Sequence, residues 1–89
     1  MNAVISVIGK DNVGIIAKVS QDCAECGVNI LDISQSVMKD YFAMIMLVNI
    51  DKITISFPAF ADRLAELGRT LGLEIHAMHE DIFNVMHNI

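Results

Sequence analysis

Hydrophobic and polar positions along the chain switch between a strand-like and a helix-like period. Residues 3 to 8, AVISVI, are β-branched and apolar on both parities, which predicts a central strand with both faces covered. From Val13 to Cys26 the residues Ile15, Ile16, Val19, Cys23 and Cys26 form one apolar stripe at helical spacing, and Lys18, Gln21, Asp22 and Glu25 form the opposite face. Gly27 ends that helix as a C′ residue. Val28 to Lys39 then alternates, with Leu31, Ile33 and Val37 on one parity and Asp32, Ser34 and Ser36 on the other, as an edge or half-exposed strand does. Lys39-Asp40 reads as a tight turn into a further strand, Tyr41 to Ile50, that is apolar on both faces.

After the polar connection Asp51 to Ser56, the pair Ser56 and Pro58 signals a helix start. Phe57, Phe60, Ala61, Leu64, Leu67 and Leu71 line one face of that helix, against Asp62, Arg63, Glu66, Arg69 and Thr70, and Gly72 ends it. Leu73 to Glu80 alternates again, with Leu73, Ile75 and Ala77 inward and Glu74, His76 and Glu80 outward. Asp81 to Ile89 places Ile82, Phe83, Met86 and Ile89 at the spacing of a short terminal helix.

A weak internal repeat at an offset of 45 relates Ile15, Val19, Cys26 and Gly27 to Phe60, Leu64, Leu71 and Gly72, and GVNI to GLEI. Two strand-helix-strand units in series, with right-handed crossovers, predict an α+β fold of the ferredoxin-like kind: a βαββαβ plait whose four-stranded antiparallel sheet carries two helices on one face, plus a short C-terminal helix. Two helices shelter only one face. Ala43, Ile45 and Leu47 cannot face the same way as Phe42, Met44, Met46 and Val48, so one row needs cover from the C-terminal segment, another subunit, or both. A homodimer at least is expected.

With 89 residues the chain is expected to be a single domain over 1–89, with a modest core. Its 6 basic and 11 acidic side chains give a net charge of -5 with no Lys/Arg cluster, which argues against nucleic acid as a partner. The opening MNAVISVIGK lacks a basic leader and a cleavage site, and the apolar run is too short for a bilayer, so a soluble cytoplasmic protein with no membrane partner is expected. Cys23 and Cys26 fall on the apolar stripe near a helix end and are read as buried thiols rather than a metal or redox pair. His76 and His79 lie three apart on a strand and point to opposite faces, so no metal site and no cofactor are expected.

The chemistry-bearing stretch is the turn GKDNVGII, Gly9 to Ile16, between the first strand and the first helix. Helix-start N–H groups attract carboxylates or phosphates. Asp11 or Asn12 capping those groups is the simplest use of the turn. The P-loop pattern is incomplete and the dinucleotide fingerprint lacks its third glycine, which disfavours a nucleotide. A small ligand or another subunit packed against the two glycines is the remaining functional reading.

The turn K-D-N-V-G-I, the helix end C-G-V-N-I and the strand D-I-S-Q-S-V followed by Y-F-A-M make the whole chain resemble an ACT domain, and more narrowly the small stand-alone ACT proteins of bacteria and archaea. The resemblance implies a non-enzymatic βαββαβ regulatory module that binds amino acids or similar effectors and pairs through sheet edges or helices. It places ligand between the loop after strand 1 and the start of strand 2 of a neighbour, here Asp11, Asn12, Val13, Gly14 and Ile15 with Asn29 and Ile30. Serine-binding members carry a pattern close to His-x-Asn-x-Pro-Gly in this turn. Here Gly9 replaces the His and Asp11 the amide, so the side chain attracts an amino group and repels a carboxylate. Two other readings remain at this stage. One is an interaction subunit that docks through its sheet face or terminal helix. The other is an acylphosphatase-like enzyme, for which the turn offers only Lys10 to hold phosphate.

Overall fold

A computed structural model describes residues 1–10 and 12–87. The elements are β1 (Asn2–Lys10), α1 (Ile15–Glu25), β2 (Asn29–Met38), β3 (Tyr41–Asn49), α2 (Phe57–Leu71), β4 (Leu73–His79) and α3 (Glu80–His87). The strands form one sheet in the order β2-β3-β1-β4, and every neighbouring pair is antiparallel. This is the expected plait, with the central position of β1 matching a segment that is apolar on both parities.

Strand alternation builds the core. Ala3, Ile5 and Val7 of β1 and Met44, Met46 and Val48 of β3 are buried on one face of the sheet, where Val19 and Cys23 of α1 and Phe60 and Leu64 of α2 cover them. Each helix ends as its residues dictate. Ser56 accepts a hydrogen bond from Ala59 N–H at 3.2 Å to cap α2, and Gly72 closes it at φ 71°. Beyond α1, Gly27 N–H donates to Ala24 O at 3.2 Å and Val28 N–H to Cys23 O at 2.8 Å, the paired bonds of a Schellman motif.

Four details depart from the expectation. Leu31 does not share a face with Ile33 and Val37, because a bulge between Ile30 and Asp32 leaves it outside the ladder and re-aims the strand. Ile16 is exposed rather than part of the buried stripe of α1. Arg63 is not merely on the solvent face of α2: its guanidinium donates to Asp22 at 3.0 Å and Glu25 at 2.5 Å, clasping α2 to α1. Glu80 begins α3 instead of ending β4, and on α3 Ile82 and Met86 face outward while Phe83 is half-buried; Ile89 lies outside the described residues.

The second face of the sheet carries Val4, Ser6 and Ile8 of β1 and Ala43, Ile45 and Leu47 of β3, in register. Val4 is only 5% exposed there, and α3 is the element that touches β1 and β4 beyond the two-helix layer. Its cover is partial, since Ile8 remains 54% and Ile45 40% exposed. The row left without helices is therefore Ala43-Ile45-Leu47, and α3 packs on the neighbouring β1 and β4.

Candidate functional site

The turn between β1 and α1 uses its two glycines in different ways. At Gly9 a Cβ would come within 2.6 Å of the Leu73 side chain and 3.2 Å of Gly72 O, so the missing side chain lets β4 lie close. Gly14 has open space around it but sits at φ 85°, in the left-handed region that ordinary residues avoid, and it is the N-cap of α1. Asp11 lies outside the described residues. Asn12 Nδ2 donates to Leu71 O at 3.4 Å, tying the turn to the end of α2. Among the described residues no side-chain hydrogen bond caps α1 at Gly14, and the first turn of α1 holds no acidic residue. The N–H groups of that turn are those a helix start leaves without an intrahelical partner.

They border an open hollow of about 280 Å³. Asn12, Gly14, Ile15 and Ile16 form one wall, and Gln35 and Val37 of β2 with Phe42 of β3 form the other. Gln35 and Val37 share a face because they are two apart on a strand, and the register sets Val37 opposite Phe42. Val13, 96% exposed, stands clear of this wall, and Ile15 is buried beneath it. Reasoning from the turn alone missed Gln35, Val37 and Phe42. The usable signal was the alternation in DISQSV, which puts Ile33, Gln35 and Val37 on the helix-bearing side.

Asn29 and Ile30 are not part of this hollow within one chain. They begin β2, nine residues from its far end, and pair with Asn49 and Val48, whereas the turn adjoins the Lys10–Tyr41 end of the sheet. Asn29 lines a separate hollow of about 380 Å³ with Gly27, Asn49, Asp51 and Lys52, and Ile30 packs against the core. A third hollow, about 630 Å³, opens beside the β4–α3 junction between Asn2, His79, Glu80, Asp81 and Ile82. There Asn2 Nδ2 donates to Glu80 Oε2 at 3.3 Å, and the His79 ring stacks on Phe57 with centroids 4.4 Å apart.

The cysteines are buried and free of a disulfide. Burial foremost, then the nearby Asp22 carboxylate, pushes the Cys23 thiol up to about 11. Arg63 Nη1 donates to Cys26 Sγ at 3.3 Å, and the same guanidinium, with help from Gln21, holds the Glu25 carboxyl below its ordinary value. Among the described residues no three His, Cys, Asp or Glu side chains gather as metal ligands, and no helix is long and apolar enough to cross a membrane.

A four-stranded antiparallel sheet in the order β2-β3-β1-β4 with two helices on one face defines a ferredoxin-like module. A family model described as an ACT domain matches residues 2–79, and the chain belongs to the ACT-domain family. Within it the chain groups with the UPF0237 proteins: it is 48% identical to one from Listeria monocytogenes over the full length of both chains, and 48% identical to one from Methanocaldococcus jannaschii over 97% of this chain and 96% of that one. Among solved structures, an ACT domain protein from Streptococcus pneumoniae superposes with a TM-score of 0.81 at 41% identity, covering 93% of each chain. The ligand-free regulatory subunit of aspartate kinase from Thermus thermophilus superposes at 0.68 with 29% identity, over 86% of this chain and 50% of that one.

Proposed function

We propose that the protein is a non-catalytic regulatory module, working as a homodimer, that binds an amino acid or similar small effector at the subunit interface beside Asp11 to Ile15. The observation that carries this reading is the hollow beside the start of α1, walled by Asn12, Gln35 and Val37. A zwitterion suits that chemistry. Its carboxylate meets the N–H groups of the first helical turn, and its amino group meets the negative charge of Asp11, the residue before Asn12. Ile16, Val37 and Phe42 supply apolar wall for a side chain.

The dimer completes the pocket. β2 is an edge of the sheet, and two copies paired antiparallel along it carry the neighbour's Asn29 and Ile30 towards the turn, because those residues lie at the opposite end of their own strand. An effector bridging two chains then stabilises one arrangement of the pair and shifts its population. The regulatory subunit of aspartate kinase, which shares the fold, is named as a regulatory protein.

Thermal unfolding in the presence of each amino acid at millimolar concentration tests the reading. A ligand at a hundred times its Kd adds about 2.7 kcal/mol of stability and raises the midpoint by several degrees. Gln35→Ala, at an exposed position, is expected to reduce that rise at least tenfold in ligand affinity while leaving the ligand-free midpoint in place. A midpoint indifferent to every amino acid would overturn effector binding.

A further inference from the structure

The hairpin between β2 and β3 closes in two residues, Lys39 and Asp40, since Met38 pairs with Tyr41 on either side of them. Lys39 sits at φ 59° and is the only residue other than glycine at positive φ among the described residues, so Asp40 does not share that conformation. Positive φ at the first central residue alone is the pattern of a type II′ turn, a place that glycine dominates because other residues are strained there. The lysine is exposed, and among the described residues no carboxylate pairs with it. A strained residue with no local partner points to a use for its side chain that glycine cannot supply.

The position of Lys39 indicates that use. It follows Val37 by two residues, roughly 7 Å along a strand, and Val37 belongs to the β2 wall of the hollow of about 280 Å³ beside the start of α1. The flexible four-carbon stem of lysine brings the ammonium to the rim of that hollow. Among the described lining residues none is charged, and the only polar side chains are the amides of Asn12 and Gln35. A cation at the rim of an otherwise uncharged hollow selects for the charge of what enters it.

We propose that Lys39 determines specificity in the effector pocket proposed above, on which its role rests, and that the effector is an acidic amino acid whose side-chain carboxylate the Lys39 ammonium holds. The α-carboxylate and α-amino group keep their places at the start of α1 and at Asp11. The methylenes lie along Val37 and Phe42, and the far carboxylate emerges where Gln35 and Lys39, two residues to either side of Val37, both donate to it. The net charge of -5 repels a ligand of net negative charge. A local cation is therefore what lets an acidic amino acid bind better than its amide, which matches it in shape and lacks only that charge.

Titration calorimetry of the full chain with L-glutamate and L-glutamine, and with L-aspartate and L-asparagine, tests the assignment. At least one acid is expected to bind about tenfold more tightly than its amide, as a charge-assisted hydrogen bond gives. That advantage is expected to shrink at about 1 M salt, where an exposed pair is screened. Lys39→Gln, which keeps much of the length and removes the charge, is expected to bring acid and amide to equal affinity. Lys39→Gly is expected to do the same with a ligand-free melting midpoint no lower than that of the wild type, because glycine relieves the backbone; a lower midpoint would mean that the lysine serves the turn itself and overturns the proposal. Binding without preference for acid over amide, a preference that survives Lys39→Gln, or binding confined to other amino acids overturns it too and leaves the pocket standing. Binding by no amino acid at all removes the pocket and the role of Lys39 together.

Discussion

Cys23 and Gly68 show how far a single position is governed by its surroundings. Burial holds the Cys23 proton up to about 11 against an ordinary 9.0, so between those values the unfolded chain releases a proton that the folded one keeps. Stability from this group is complete below pH 9.0 and is lost as pH rises towards the folded value. The loss is on the order of 2 kcal/mol for a shift of this size. Urea titrations between pH 8 and 11 are expected to show that fall, and Cys23→Ala is expected to flatten it; a variant whose stability declines as steeply would mean the thiol is not the cause. At Gly68, buried in the middle of α2, a Cβ would lie 2.6 Å from Leu73 O and 3.1 Å from a side-chain carbon of Ile75. Alanine gains about 1 kcal/mol of helix propensity there, yet overpacking against a backbone carbonyl costs about 1–3 kcal/mol. Gly68→Ala is therefore expected to lower stability by about 1 kcal/mol net, and a stabilised variant in the same titration would show that β4 yields. Neither effect could be read in advance: the stripe of apolar residues on α2 was plain, but the need for a hole in it depends on how closely β4 approaches.

Between elements, the clasp of Arg63 on Asp22 and Glu25 is the most specific polar contact, joining helices whose apolar faces are otherwise interchangeable in character. Glu25, held below its ordinary carboxyl value by the Arg63 guanidinium, adds stability that is present above 4.5 and lost as pH falls through its folded value. Arg63→Met is expected to lower the melting midpoint by a few degrees at neutral pH and to shrink the further decline below pH 4.5. Equal acid sensitivity in both proteins would assign that decline to other carboxylates. Strands, helices and their stops were legible at this scale because Ser56, Gly27 and Gly72 act through local backbone bonds that need no tertiary partner. The bulge near Leu31 was not, since it answers to pairing with β3, a neighbour from elsewhere in the chain. For the same reason the turn announced one wall of the hollow, while Gln35, Val37 and Phe42, brought there by sheet register, did not announce the other.

The molecule as a whole follows from a strand order that a repeat of strand-helix-strand units dictates. That order made the two-sided greasiness of residues 41–50 a statement about the finished particle: the Phe42-Met44-Met46-Val48 row went under the helices, and the opposite row was left to α3 and to whatever lies beyond the chain. The same order has a consequence for how the protein is made. β1 leaves the ribosome well before β4, one of its two flanking strands, whose last residue is His79. Until translation has passed β4, β1 waits with one backbone edge unpaired, and a nascent chain paused between α1 and β4 offers that edge to any extended peptide nearby.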